Sequence, residues 1–153
     1  MRVFNLNNIS TSHNSEKNIL HLQLNGQIPH HKIVKAFSDV LRFAYKRKIK
    51  KWILDLSRIE PLSEKSESWF NTNLYPNMMI RFGPKNYIGF VLPQEEYNRR
   101  LNESGLQGLQ SYNSYIIINT FTSSDQAFKW IETCNSGPIS FAWFSSYLPS
   151  PSL

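Results

Sequence analysis

Five consecutive residues, Trp52-Ile53-Leu54-Asp55-Leu56, constrain the fold of this chain more than any other segment. Four are large and apolar, and they do not alternate with polar residues. A short run of that kind suits a strand covered on both faces, as in the interior of a largely parallel sheet. Such a strand needs helices above and below it, and parallel neighbours need crossover connections. The reading is therefore α/β. Asp55 is the one residue in the run that burial does not favour.

The flanking pattern agrees. Phe4 and Leu6 alternate with Asn5 and Asn7, predicting a half-buried strand from Arg2 to Ile9, and Ser10–Lys17, without an apolar residue, reads as a polar loop. Leu20, Leu22 and Leu24 alternate with His21, Gln23 and Asn25 to give a second strand ending at Gly26, paired with the first as an antiparallel hairpin. Pro29 opens a helix carrying Ile33, Phe37, Val40, Leu41 and Ala44 at helical spacing. After the Trp52–Leu56 strand, Ser63 is an N-cap for a helix with Trp69, Phe70 and Leu74, which Pro76 is expected to end. Tyr87–Leu92 is a further buried strand, followed by a helix that Pro93 opens and Gly105 closes. Tyr115–Ile118 is the fifth strand. Ser123 and Gln126 have capping-box spacing for a last helix with Ala127, Phe128, Trp130 and Ile131, ending near Cys134. The sum is a mixed five-stranded sheet with an N-terminal antiparallel hairpin followed by strand-helix units, and four helices. Residues 1–135 form the domain, and 136–153 form an aromatic tail rich in Ser and Pro.

At 153 residues and 41% hydrophobic, the chain suffices for one core and not for two. No stretch approaches the roughly 18 apolar residues that cross a bilayer, so membrane insertion is not expected. The start of the chain lacks the apolar segment of a secretory signal, and the single cysteine, Cys134, forms no internal disulfide. Together these point to a reducing, cytoplasmic setting. The net charge of +6 raises the question of an anionic partner. Much of the excess lies in Lys46-Arg47-Lys48-Ile49-Lys50-Lys51, where a helix end accommodates cations for structural reasons, and no nucleic-acid module accompanies it.

Catalytic signatures are missing. There is no Gly-rich phosphate loop, nucleophile elbow or paired His and Glu motif on a helix. His30-His31 are adjacent at a helix start and point in different directions, while His21 lies on the polar side of its strand and reads as solvent-facing. Neither cofactor nor metal is expected, and the chain reads as a non-enzyme. Asp55 sits where an open α/β sheet presents side chains to ligands, but a carboxylate there also holds the following loop by accepting backbone amides, and that role is the simpler one. Trp69–Phe82, with Met78, Met79 and Ile80, is core or, where exposed, an adaptable binding patch. In the tail, Phe141, Trp143, Phe144, Tyr147 and Leu148 are expected to pack, with self-association into a homodimer as the route.

The segment Lys51-Trp52-Ile53-Leu54-Asp55-Leu56-Ser57-Arg58-Ile59 resembles the central strand of the STAS family of sulfate transporters and anti-sigma-factor antagonists, and the element order from Asn18 to Cys134 is similar to that family's small bacterial branch. The resemblance implies a non-enzymatic regulatory or scaffolding module that binds a protein partner. Its expected surface is the loop after Asp55 and the following helix, with Asp55, Ser57, Arg58, Glu64 and Ser66 as candidate residues. The Asp-Ser phosphorylation motif of the antagonists is missing, with Glu64 near the serine position, which leaves Ser63 and Ser66 as candidates. The competing expectation, from the apolar 69–82 stretch, is a small apolar or lipid-like ligand.

Overall fold

A computed structural model describes residues 2–6 and 8–134. The central apolar run lies inside β4 (Lys51–Ile59), the middle strand of a seven-stranded mixed sheet ordered β1-β2-β3-β4-β5-β7-β6. Around it are β3 (Ile19–Gly26), β5 (Asn86–Val91) and β7 (Ile116–Phe121), and these four strands run parallel. Ile53 and Leu54 point to opposite faces and both are fully enclosed. Leu54 sits in one core with Leu22, Trp52, Ile88 and α1 (His30–Arg47), whose Ile33, Phe37 and Val40 face the sheet. Ile53 sits in the other with Tyr87, Val91 and Ile117 beneath Ala127 and Ile131 of α5 (Ser124–Thr133). Each such side chain contributes about 1.5–3 kcal/mol by leaving water, so the two-sided burial of β4 and β5 anchors the domain.

The α/β class, the mixed sheet and the expected strands are present, and two more strands join them. The segment read as a polar loop is largely strand: β2 (Ile9–Asn14) pairs antiparallel with both β1 (Arg2–Leu6) and β3. The N-terminal antiparallel hairpin is present as β1-β2, and a second hairpin, β2-β3, places β2 between the two strands expected to pair directly. Thr11 and His13 occupy inward positions that apolar residues usually fill, and both are buried. His13 packs edge-on against Phe43, with ring centroids 5.5 Å apart, and its Nε2 lies 2.8 Å from Asn18 Oδ1. The second addition, β6 (Ser111–Tyr112), is a two-residue border strand against β7.

The helix after β4 does not stop at Pro76. Ser63 caps α2 (Glu64–Trp69), accepting the Ser66 amide at 3.2 Å, and the chain continues through a π-helical turn, Phe70–Leu74, into α3 (Tyr75–Phe82). In the wide turn Tyr75 N–H donates to Phe70 O, five residues back. That widening takes up the proline ring, which would clash in a regular turn. Gly83, at φ 73°, ends α3 in a conformation that side chains resist. α4 (Gln94–Ser104) runs on into a 3₁₀ turn, Gly105–Gly108, and none of its residues is buried. Among the described residues no helix is long and apolar enough to cross a membrane.

Candidate functional site

Asp55 lies toward the carboxyl end of β4, level with Gln23 on β3 and Val91 on β5. Beyond it the register slips. Gln23 faces Asp55 but Asn25 faces Arg58, so β4 carries one extra residue there. The cause is in the side chain: Asp55 Oδ1 accepts the Ser57 amide at 3.0 Å and the Ser57 hydroxyl at 2.6 Å. Its Oδ2 accepts the hydroxyl of Ser124, the first residue of α5, at 3.1 Å. Asp55 thus ties the bulged end of β4 to the positive end of a helix on the opposite layer. Burial pushes its carboxyl pKa up, but the Ser57 and Ser124 hydrogen bonds and nearby His21 outweigh this and hold it below the usual range.

His21 faces the same side and is not solvent-facing as expected. It is half-buried, with Phe128 of α5 edge-on to its ring at 5.1 Å, and its enclosed Nε2 has no hydrogen-bond partner. Desolvation lowers its pKa, and Asp55 pulls the other way. No hydrogen bond joins His21 to Asp55, whose carboxylate is taken by Ser57 and Ser124.

The other candidate residues separate by depth. Arg58 and Glu64 are exposed and Ser57 is half-buried. Ser66 lies beneath the surface at 1% exposure, its hydroxyl 2.9 Å from His30 Nδ1 and accepting from Ser63 at 3.3 Å. Helix α2 is thereby pinned to the start of α1, which removes Ser66 from any contact face and places His30 in a structural role. Cys134 is buried, its thiol directed to Trp130 O at 3.4 Å. Among the described residues no three His, Cys, Asp or Glu side chains gather closely enough for a metal. The tail positions Phe141, Trp143, Phe144, Tyr147 and Leu148 lie outside the described residues.

Among the described residues, a large concave feature lies on the face of the sheet opposite Asp55. Two adjoining cavities, of about 680 and 910 Å³, share Leu56, Leu62, Glu67, Arg99 and Arg100 in their walls and so read as one groove. Its floor is Phe90, Ile116 and Ile118 of β5 and β7. One wall is the β4–α2 loop with Phe70, Tyr75 and Met79, and the other is α4 and the segment after it. Along α4, Glu96 and Arg99 pair, Arg99 also bonds Glu103 at 2.8 Å, and Arg100 bonds Glu96 at 3.1 Å, which gives a charged rim over an apolar floor. These bonds hold the Glu96 carboxyl below its usual pKa. The Tyr75 phenol, pushed up to about 12 by desolvation despite neighbouring Arg100, stays neutral at physiological pH and can donate a hydrogen bond into the groove.

Sequence reasoning flagged the wall formed by 69–82 but not the opposite one. The signal was present: α4 has only Tyr97 and Leu101 as large apolar residues, too narrow a stripe to seal a helix onto a sheet. No family model matches the chain, and neither does any curated protein.

Proposed function

We propose that this protein is a non-enzymatic regulatory or scaffolding module that recognises a protein partner through the β4–α2 segment and the groove beside it. The observation that carries the reading is the groove itself: an apolar floor, a charged rim and one wall built by the loop after Asp55, the segment that the STAS-like order singles out as a contact surface. Exposed Arg58 and Glu64 flank that wall, while Asp55 shapes the loop from behind through Ser57. Interfaces of this kind place apolar anchors in a pocket and use a polar rim for orientation.

The test is affinity purification from native extract with three proteins: the parent chain, Arg58→Glu/Glu64→Lys, and the groove variant Leu62→Glu. A partner retained by the parent and lost by both variants supports the reading; identical partners from all three refute it.

A small apolar or lipid-like ligand is the second reading, favoured by one specific observation. The part of the groove over Phe90, Ile116 and Ile118, about 680 Å³, is within the range of small-molecule sites. Native mass spectrometry of the parent would then show added mass that Met79→Trp, which fills the groove, abolishes and that Arg58→Glu/Glu64→Lys leaves in place. No added mass on gently purified protein rejects this second reading.

A further inference from the structure

The opposite end of the sheet, where the parallel strands begin, concentrates positive charge. Residues 40–54 include Lys46, Arg47, Lys48, Lys50 and Lys51 and no carboxylate, and residues 68–94, which include Arg81, have none either. The fold brings these two acid-free segments together. Tyr45 near the end of α1 stacks on Phe82 at the end of α3, with centroids 6.1 Å apart, and Lys50 Nζ donates to Pro84 O at 2.8 Å. Lys46, Arg47, Lys48 and Arg81 are all exposed. The charges feel one another, since desolvation and the neighbouring Lys50 both depress the Lys85 pKa.

Among the described residues, the carboxylates toward this end that could offset Lys46, Arg47, Lys48 and Arg81 are few or already paired. Glu16 lies in the β2–β3 turn, and Glu132 in the last turn of α5 is already bonded by Lys17 at 2.6 Å. Asp39, two turns back along α1, is taken by Lys35 and Arg42. A helix carboxyl end presents roughly half a negative charge, so α1 and α3 together offset about one cation. The helix-end explanation of the basic run accounts for only a part of it.

We infer that this basic end docks the protein on an anionic lipid surface. Two features favour lipid over nucleic acid. Single-strand binding uses open aromatic faces on which bases stack, but Tyr45 and Phe82 stack on each other and the Phe43 ring is covered by the Arg47 guanidinium at 3.7 Å. The exposed apolar groups instead suit an interface: Ile80, beside Arg81 at the end of α3, is 84% exposed, and Tyr45 is 53% exposed. Lysines around such groups favour a headgroup layer, where each cation near the surface strengthens binding about fivefold.

The experiment is co-sedimentation of the full chain with phosphatidylcholine vesicles, with and without about a third phosphatidylglycerol. The parent should bind only the anionic vesicles and lose binding as salt rises toward about 0.5 M. The triple variant Lys46→Gln/Lys48→Gln/Lys51→Gln should bind about a hundredfold more weakly while keeping the parent's circular dichroism and melting temperature, and Ile80→Ser should weaken binding with no change in salt dependence. Equal binding to neutral vesicles, an unaffected triple variant, or binding to an oligonucleotide with none to vesicles would each overturn the inference.

Discussion

Replacing Asp55 separates its structural role from a role in contact. Asp55→Ala removes the acceptor for three donors: the Ser57 amide at 3.0 Å, the Ser57 hydroxyl at 2.6 Å and the Ser124 hydroxyl at 3.1 Å. A hydrogen bond to a charged group contributes about 1.5–3 kcal/mol, and half-buried hydroxyls can turn to water once released. The expected loss is therefore about 2–4 kcal/mol, below three full bonds. Asp55→Asn keeps an acceptor for Ser57 and can donate to Ser124, so it loses mainly charge assistance, about 1 kcal/mol. Because the folded state lowers the Asp55 pKa, the ionised carboxylate stabilises the fold at neutral pH. That contribution is present above the unfolded value near 3.9 and is lost as pH falls through the lower folded value. The parent's advantage over Asp55→Asn should accordingly close on acidification below about pH 4. Urea denaturation of the three proteins at neutral pH, and of parent and Asn variant across the acid range, measures both quantities. An alanine cost under about 0.5 kcal/mol, or a gap that widens in acid, would refute the assignment of Asp55 as the clip between β4 and α5.

Three further outcomes follow from the same geometry. Ser66→Glu should destabilise the fold by about 3 kcal/mol or more, since it puts a charge into a closed site, whereas Ser66→Ala should cost about 1 kcal/mol; a well-folded Glu variant in thermal melts would contradict the burial of Ser66. His21→Phe should raise stability by about 1 kcal/mol by removing the unpartnered Nε2. Because the folded His21 pKa is lowered, the parent loses stability as pH drops below about 6.5, and the variant should lose less there; parallel pH profiles would count against this account. Gly89→Ala should be tolerated within about 1 kcal/mol, because its Cβ would stand 3.6 Å from Ala127 and 3.7 Å from Trp130, an ordinary packing distance. Gly89→Val should cost about 1–3 kcal/mol by pressing into α5, and denaturant midpoints rank the two.

What could be read in advance follows the physics of each segment. β3, α1 and α5 announce themselves because Leu, Ile, Val, Phe or Trp fill their inward positions at the period of their structure, and β4 and β5 because their apolar residues run almost without interruption. β2 hides because Thr11 and His13 hold its inward places. Thr11 lends little but its methyl, and His13 needs Phe43 and Asn18, which sequence does not place beside it. Pro76 misleads for a similar reason: the rule that it ends a helix assumes regular pitch, and the π turn before it removes that assumption. Asp55 was legible as an anomaly in an apolar run, but its purpose needed Ser124, brought from the far end of the chain.

The groove follows from what α4 lacks. A sheet in an α/β fold gains by having both faces covered, and α4 brings too little apolar surface to cover β5 and β7, so Phe90 and Ile118 stay half-buried. The fold forgoes part of the 1.5–3 kcal/mol that complete burial of each such side chain gives. An occupant that covers this floor recovers it: anything bound at about a hundred times its dissociation constant adds about 2.7 kcal/mol to stability. Occupancy should therefore appear as a rise in melting temperature that Met79→Trp removes, since that substitution fills the same space from within. If the parent and Met79→Trp respond alike to the partner or ligand, the groove is not where it binds, and the contact surface contracts to exposed Arg58 and Glu64.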